Sequence, residues 1–304
     1  MHSGRERAAR GCHREGRNGM EYHHILVDRE DGVVTITMNQ PQHLNPWLIP
    51  MMEEMMVELD LVAVNPDDKV LVITGAGRAF SSGGDVSSMG GIDHADPHFM
   101  KWLPDHKRGL LTYPTMTAEE RLQNKTFSGT PVHHKVFNMD KPTIAAVNGV
   151  AAGAGADLAL TCDLRIASTT ARFIEVYIRR AFTPLDGGAF WAPYHLPHAK
   201  AMEMLLTGDA MGADEAKHFG LVNDVVDPEE LMPRTMELAK RLAQGPSVAI
   251  QLTKHMVREI FMREGYDRMW DLAKDATPHS MSSRDADEGV QSFLEKRQPE
   301  FKGF

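Results

Sequence analysis

Two segments rich in small residues, about 70 residues apart, carry the strongest chemical signal in this sequence. They run from Gly75 to Asp85 and from Lys141 to Asp157. In each segment an apolar stretch of strand type leads into glycines, where a backbone can approach a ligand closely. Two backbone N–H groups aimed at one carbonyl oxygen form an oxyanion hole, often the largest catalytic contribution in acyl chemistry. The two segments therefore predict two halves of one site for a carbonyl compound.

Other uses of glycine-rich segments have to be weighed beside this one. Glycine also supplies tight turns and close packing, and that alternative stands for any single loop. Neither segment contains the phosphate-loop pattern Gly-x-x-x-x-Gly-Lys-Ser/Thr. Gly149, Gly153 and Gly155 follow an apolar strand, but no acidic residue closes a second strand about 20 residues later, as a dinucleotide fingerprint requires.

Composition sets the broad class of the protein. The chain has 304 residues, 42% of them hydrophobic and 25% charged, as in ordinary globular proteins. With a net charge of −9 and no basic face visible, we expect no nucleic-acid partner. The sequence contains no run of 18 apolar residues, so it predicts no membrane-spanning helix. The only cysteines, Cys12 and Cys162, form neither a disulfide framework nor a zinc-ligand pattern, which favours a cytoplasmic protein.

The hydrophobic pattern predicts an α/β core followed by helices. Residues 1–19 lack an apolar signal region and are interpreted as a disordered extension or the product of an upstream start site. The segment from Ser87 to Asp140 shows no clear periodicity, apart from a helix that begins at about Ala118 or later and ends at Asn138. The predicted core elements are a hairpin over Ile25–Met38, a helix over Met51–Val64, strands at Val70–Thr74, Thr143–Val147 and Asp163–Ser168, and a helix over Gly153–Leu160. The later predicted helices are Ala199–Thr207, Gly212–Phe219, Glu229–Ala243, Val248–Glu264 and Asp287–Glu295.

Four motifs, in the right order, give the chain a family resemblance. They are Arg78–Asp85, Lys141–Gly149, Cys162–Ala167, and Leu205–Gly208 taken with Ala216 and Gly220–Val222. Over roughly residues 22–300 the sequence resembles the enoyl-CoA hydratase/isomerase (crotonase) superfamily. The resemblance implies a spiral of ββα turns and a helical C-terminal region that builds homotrimers, often paired into hexamers. It divides the chain into the extension 1–19, an α/β core over 20–225 with a variable pocket segment at 87–140, and a helical region over 226–304.

The resemblance also implies a substrate, an acyl-CoA thioester, and the residues that bind it. The thioester carbonyl would be held by the backbone N–H groups of Gly84 and Ala154. Most relatives have glycine where this chain has Ala154, and alanine can serve if the backbone conformation suits a Cβ. Coenzyme A enters as part of the substrate, so we expect no separate cofactor and no metal ion. The implied substrate contacts are Gln42, His43, Leu44, Ser82, Gly83, Asp85 and Gly153.

The implied acid–base groups depart from the family pattern. The first family glutamate aligns with Asp157, and the second aligns with Tyr177. Glu175 lies two residues earlier; on a strand it would share a face with Tyr177, and a register shift would be needed for it to replace the missing glutamate. Asp186 lies within about one residue of a third catalytic position, where dienoyl-CoA isomerases carry aspartate, although strict counting selects Leu185. Local capping for Asp157, an Asx-turn for Asp186 and plain packing for Tyr177 are the alternatives.

These residues predict enolate chemistry on an acyl-CoA. We expect hydration or double-bond isomerisation, with Asp157 as the acid–base group and Asp186 or Tyr177 as its partner. One alternative is a hydrolase or dehalogenase-like enzyme in which Asp186 attacks carbon as a nucleophile. Another is a non-catalytic family member. The pocket segment offers aromatic residues for a bulky acyl group and histidines as candidate bases: Trp102, Tyr113, Phe127 and Phe137, and His94, His98, His106, His133 and His134.

Overall fold

A computed structural model describes residues 21–84, 130–184, 186–281 and 283–302 of the chain. The proposed extension 1–19 and most of the pocket segment lie outside these ranges. Within them, none of the helices combines the length and the apolar character needed to cross a membrane. The strands are β1 Ile25–Glu30, β2 Val33–Met38, β3 Val70–Gly75, β4 Ala79–Ser81, β5 Thr143–Val147, β6 Val150–Ala152, β7 Leu164–Ser168, β8 Arg172–Ile174, β9 Met211–Gly212 and β10 Asp224–Val226.

Helices surround these strands and dominate the C-terminal third. A 3₁₀ turn at Pro41–His43 precedes the first helix, and another at Val176–Arg180 follows β8. The helices are α1 Ile49–Val64, α2 Thr130–Asn138, α3 Ala154–Thr161, α4 Gly188–His195, α5 His198–Thr207, α6 Ala213–His218, α7 Leu231–Ala243, α8 Ser247–Val257, α9 Arg263–Met281 and α10 Arg284–Leu294. The predicted α/β core followed by helices is confirmed.

The larger sheet has six strands in the order β1-β2-β3-β5-β7-β10. β1 and β2 form the predicted antiparallel hairpin, whose turn places Asp31 and Gly32 at positive φ. The remaining neighbours run parallel. Every residue of β3 is buried, which agrees with its continuous apolar pattern. The helix α7 covers one face of this sheet through Leu231, Leu238 and Ala239.

The structure differs from the predicted helices at two places. The helix α4 was not expected; it contains Pro193 and follows two glycines, which together weaken any helical pattern. The single helix predicted over Val248–Glu264 is α8, which passes through a π-helical turn at Arg258–Met262 into the longer α9. A π-helical turn changes the repeat from 3.6 residues per turn, so a pattern based on that period loses the continuation.

A second, smaller sheet has the order β4-β6-β8-β9 and was not predicted. Strands β4, β6 and β8 are parallel neighbours of three residues each, too short to show an alternating pattern. The carboxyl ends of neighbouring parallel strands meet at one edge of a sheet. This sheet therefore brings together the chain segments that follow Ser81, Ala152 and Ile174.

The helix α3 is buried along its whole length, and Arg165 fixes its C-terminal end. The Arg165 guanidinium donates to the carbonyl oxygens of Cys162 at 2.5 Å and Leu160 at 3.2 Å, and to that of Leu221 at 2.6 Å. A cation at a helix C-terminus also interacts favourably with the helix dipole. The N-terminal end of α3 lies at the edge of the small sheet, because Gly153 follows β6 directly and its N–H donates to the Ile174 carbonyl at the end of β8.

Candidate active site

The two glycine-rich turns lie against each other at the ends of β4 and β6. Gly83 has a φ of +82°, and a Cβ placed on it would lie 2.4 Å from the carbonyl oxygen of Ala152 and 3.5 Å from the backbone nitrogen of Ala154. Only glycine permits both this backbone conformation and this approach. The structure thus brings together the two segments that the sequence analysis paired.

The loop before α1 supports the first turn. The backbone N–H of Trp47 donates to the Gly83 carbonyl at 2.8 Å, and that of Ser82 donates to the Leu44 carbonyl at 2.9 Å. Gln42 and His43 lie in the 3₁₀ turn of the same loop with exposed side chains. The residues predicted to contact coenzyme A are therefore neighbours of the Gly83–Gly84 turn. Asp85, also predicted as a contact, lies outside the described residues.

The second turn opens the helix α3. Gly153 caps this helix with a φ of +51°, and its N–H donates to the Ile174 carbonyl at 2.8 Å. The positive φ falls on Gly153, whereas Ala154 begins the helix, so the Cβ of Ala154 meets no backbone strain. The buried ring of His133 lies with Nε2 2.8 Å from the Ala154 carbonyl; because a carbonyl only accepts, Nε2 carries the proton.

Three carboxyl groups and one phenol gather beside the second turn. Asp157, Glu175 and Asp186 are 0%, 1% and 3% exposed. The hydroxyl of Tyr177 lies 2.6 Å from Oδ2 of Asp157 and 3.0 Å from Oδ2 of Asp186. The phenol has one proton, so a full set of hydrogen bonds requires one of these two aspartates to be protonated. We call Asp157, Glu175, Tyr177 and Asp186 the acid cluster.

The position of Glu175 corrects the sequence interpretation. Glu175 and Tyr177 do not share a strand, because β8 ends at Ile174 and a 3₁₀ turn begins at Val176. A Cβ placed on Gly188 would lie 2.4 Å from Oε2 of Glu175 and 2.9 Å from Oδ1 of Asp157. The two carboxyl groups are therefore neighbours, and Glu175 reaches the site without any register shift.

Burial dominates the electrostatics of the acid cluster. It raises the pKa of Asp157 well above its ordinary value, and the charges of Glu175 and Asp186 raise it further. The pKa of Glu175 rises to about 8, mainly through burial and then through the charge of Asp186. Burial followed by the nearby Asp157 carboxylate also raises the pKa of Tyr177. The cluster therefore retains protons at neutral pH and can both donate and accept them.

Part of the cluster has no partner outside it. Oδ1 of Asp157 and both oxygens of Glu175 find no hydrogen-bond donor among the other described residues, and a proton on either carboxyl group bonds it to the other. Buried polar atoms normally have such partners, and exceptions are concentrated at functional sites. Over the same described ranges, no group of three or more His, Cys, Asp or Glu side chains is placed to bind a metal ion.

Replacing Glu175 by glutamine should change the dependence of stability on pH. The folded chain keeps the Glu175 proton up to about pH 8, whereas the unfolded chain releases it near pH 4.5. Stability therefore falls as pH rises between these values, and glutamine removes that fall. We compare the unfolding free energy of Glu175→Gln with that of the wild type at each pH. As the pH rises from about 5 to about 9, we expect this difference to shift in favour of the variant by on the order of a few kcal/mol. Urea unfolding of both proteins at the two pH values measures this, and a difference independent of pH would contradict it.

Aromatic side chains from the three helices α2, α4 and α9 pack against one another beside Gly187. The indole of Trp191 in α4 packs against Gly187, and its ring centroid lies 5.7 Å from that of Phe137 in α2. Phe137 in turn stacks on Tyr266 of α9 at 3.9 Å. Phe137 and Trp191 line a cavity of about 470 Å³ that extends towards α8. The other aromatic residues predicted for an acyl pocket, Trp102, Tyr113 and Phe127, lie outside the described residues, as do His94, His98 and His106.

The sequence and the fold match a known family along most of the chain. A family model described as enoyl-CoA hydratase/isomerase matches residues 28–117 and 111–303. The chain is 31% identical over 283 residues to a crotonyl-CoA hydratase of Syntrophomonas wolfei, covering 93% of this chain and 99% of the relative. It is 33% identical over 279 residues to a 1,2-epoxyphenylacetyl-CoA isomerase of Escherichia coli, covering 92% and 98%.

Solved structures show the same similarity in three dimensions. A crystal structure of a carnitinyl-CoA hydratase from Mycobacterium avium superposes with a TM-score of 0.76 at 30% identity, covering 92% of this chain and 99% of that one. An enoyl-CoA hydratase from Mycobacterium avium subsp. paratuberculosis gives 0.75 at 26% identity over the same shares of the two chains. The predicted crotonase-like fold is confirmed by these matches.

Proposed function

The chain belongs to the enoyl-CoA hydratase/isomerase family, and from this premise we propose that Asp157 moves protons on an acyl-CoA held by two backbone N–H groups. It is an enzyme of the hydratase/isomerase type that acts on an unsaturated acyl-CoA. The proposed donors to the thioester carbonyl are the N–H groups of Gly84 and Ala154. The observation that carries the proposal is the buried Asp157 carboxyl, which lies one helical turn from Ala154 and whose Oδ1 receives no hydrogen bond from described residues outside the acid cluster.

The position of the helix α3 supports this assignment electrostatically. An enolate oxygen bound at Ala154 would lie at the N-terminal end of α3, where the helix dipole stabilises negative charge. Hydrogen-bond donors fixed before the reaction stabilise charge that develops in the transition state without reorganisation. The close contact of Gly83 with Ala152 and Ala154 keeps the two donors at a fixed separation.

Tyr177, in the position of the second family glutamate, favours isomerisation over hydration. Hydration in two steps uses a second group that takes a proton from water. Tyr177 stands where the resemblance places the second family glutamate, and its raised pKa makes it a poor base at neutral pH. Its hydroxyl instead contacts Asp157 and Asp186 and holds Oδ2 of Asp157, leaving Oδ1 for the substrate. We assign Tyr177 and Asp186 the role of orienting Asp157.

The loop beside the first turn supplies the proposed contacts to the substrate. Gln42, His43, Leu44 and Ser82 would contact the coenzyme A moiety, because their loop is hydrogen-bonded to the Gly83–Gly84 turn. Gly83 and Gly153 would line the path of the thioester. The proposal needs no cofactor besides the coenzyme A of the substrate.

The assembly proposed for the chain is a homotrimer, or a hexamer made of two trimers, in the cytoplasm. An exposed apolar stripe on α8 and the π-helical turn supports contact with further copies of the chain. Its residues recur at helical spacing: Val248, Leu252, Met256, Ile260 and Phe261. The buried free thiol of Cys162 is compatible with a reducing compartment. Light scattering of the purified chain tests the assembly, and a monomeric mass would contradict it.

A steady-state assay tests the proposed reaction. The purified chain would be given a 2-enoyl-CoA and, separately, a 3-enoyl-CoA of the same length, with products separated by chromatography. We expect conversion of the 3-enoyl to the 2-enoyl thioester to exceed formation of the 3-hydroxyacyl thioester. Turnover of neither thioester, despite measurable binding of both, would contradict enolate chemistry.

A further inference from the structure

Glu175 is a buried carboxyl group that the mechanism described above leaves without a role. It follows the C-terminal end of β8, next to the strand that leads into the Gly153–Ala154 turn. Its side chain is 1% exposed, and among the described residues its hydrogen-bond partner is the carboxyl group of Asp157, when one of the two carries a proton. Tyr177 supplies a hydroxyl to both aspartates of the cluster, whereas Glu175 receives none.

The surroundings of Glu175 direct its carboxyl towards the reactive oxygen of Asp157. Its Oε2 and Oδ1 of Asp157 both lie within 3 Å of the point that a Cβ of Gly188 would occupy. Gly188 also begins the helix α4, whose N-terminal end favours negative charge on these groups. Two carboxyl oxygens in one water-poor pocket, beside one helix N-terminus, can share a single proton.

A purely structural role does not account for this arrangement. Burying a polar group without a hydrogen bond costs free energy, and a buried ionised carboxylate costs much more. An apolar residue at position 175 would pack in the same place without that cost. A proton-transfer role explains why two carboxyl groups are buried against each other, because the proton that they share can be exchanged with the substrate.

We propose that Glu175 is a second catalytic carboxyl group, which exchanges a proton with the γ-carbon of the substrate and with Oδ1 of Asp157. The inference rests on the proposed function, in which Asp157 acts at the α-carbon. It assigns the partner role to a residue two positions before the one at which the family pattern places its second glutamate.

The proton movements balance over one isomerisation of a 3-enoyl-CoA. The Asp157 carboxylate takes the α-proton, and the electron pair of that bond moves into the thioester to give an enolate. The enolate then returns the pair to form the α–β double bond, while the former β–γ double bond takes a proton at the γ-carbon from the Glu175 carboxylic acid. Asp157 is now the acid and Glu175 the carboxylate, and one proton transfer between them restores the starting state.

Deuterium incorporation separates this inference from the proposed function. A 3-enoyl-CoA would be incubated in D₂O with the wild type and with Glu175→Gln, and NMR would follow deuterium at the α- and γ-carbons. For the variant we expect α-exchange within about threefold of the wild type and 2-enoyl formation lowered by about 10²-fold. Glu175→Asp, which restores a carboxyl group, should recover part of that loss. Glu237→Gln is the control for the same isosteric change. The Glu237 side chain is 74% exposed, and we expect its variant to keep the rate of the wild type.

Each contrary outcome has a distinct meaning. Product formation by Glu175→Gln within about threefold of the wild type would overturn the catalytic role of Glu175 and leave Asp157 in place. Equal loss of α-exchange and of product, with folding and acyl-CoA binding intact, would also overturn it, because Glu175 would then act only through Asp157. Absence of α-exchange in the wild type would instead contradict the proposed function itself.

Discussion

Asp157→Asn should lower turnover of an unsaturated acyl-CoA by about 10²–10⁴-fold, the range expected for loss of a general acid–base group. The amide keeps the shape of the carboxyl and can still accept the Tyr177 hydrogen bond, but it cannot take a proton from carbon. Binding of the thioester should stay within about threefold of the wild type, because the proposed donors to its carbonyl are backbone groups. Steady-state kinetics and calorimetric titration with a saturated acyl-CoA measure the two quantities.

Asp163→Asn is a matched control for this substitution. Asp163 lies six residues along the same segment and binds Thr143 and Lys254 rather than the acid cluster. We expect a loss of stability from this variant, with turnover per folded molecule unchanged. If Asp157→Asn kept the turnover of the wild type, Asp157 would have no part in the chemistry. If both variants lost turnover equally, the effect would come from a disturbed α3.

Gly83→Ala should damage both the stability and the chemistry of the protein. The new methyl group would lie 2.4 Å from the Ala152 carbonyl oxygen, at a φ of +82° that L-residues rarely adopt. The first turn must then move away from the second, which separates the N–H groups of Gly84 and Ala154. We expect a loss of about 1–3 kcal/mol in unfolding free energy and, in the folded fraction, a turnover lowered by about 10²-fold or more.

Gly220→Ala separates the two causes of that effect. Gly220 has a similar φ of +78°, and a Cβ on it would meet no atom within 4 Å. We expect this variant to lose about 1 kcal/mol of stability from the backbone conformation alone, with unchanged turnover. Thermal unfolding and steady-state kinetics of both variants provide the comparison. Wild-type turnover in folded Gly83→Ala would show that the spacing of the two turns does not matter for catalysis.

The sequence predicts five of the six strands of the larger sheet and most helices, because their patterns are long enough to read; the three-residue strand β10 is missed. The apolar run of β3 and the alternation of the β1–β2 hairpin each extend over six residues. The small residues around Gly83 and Gly153 also identify both turns, since few other residues fit where two backbones touch. Asp157 is identified through the family resemblance, as the residue that aligns with the first family glutamate.

The sequence does not predict how the two turns and the acidic side chains are arranged in space. Strands β4, β6 and β8 have three residues each, so no periodic signal predicts the sheet that aligns their ends. The sequence interpretation places Glu175 wrongly because it continues β8 as a strand through Tyr177. In the structure a 3₁₀ turn follows β8, and the Glu175 side chain takes a different direction. Nothing in the sequence pattern marks Gly188, which leaves room for the two carboxyl groups to meet. Its role is recognised only from the contact in the structure.

The most direct test of the account is proton exchange at the α-carbon of a saturated acyl-CoA. Such a thioester cannot isomerise or add water, so exchange with D₂O reports only removal and return of the α-proton. The account predicts deuterium incorporation by the wild type, followed by NMR, and its loss in Asp157→Asn while the thioester still binds. Binding without exchange in the wild type would contradict an enolate stabilised at the Gly84 and Ala154 turns.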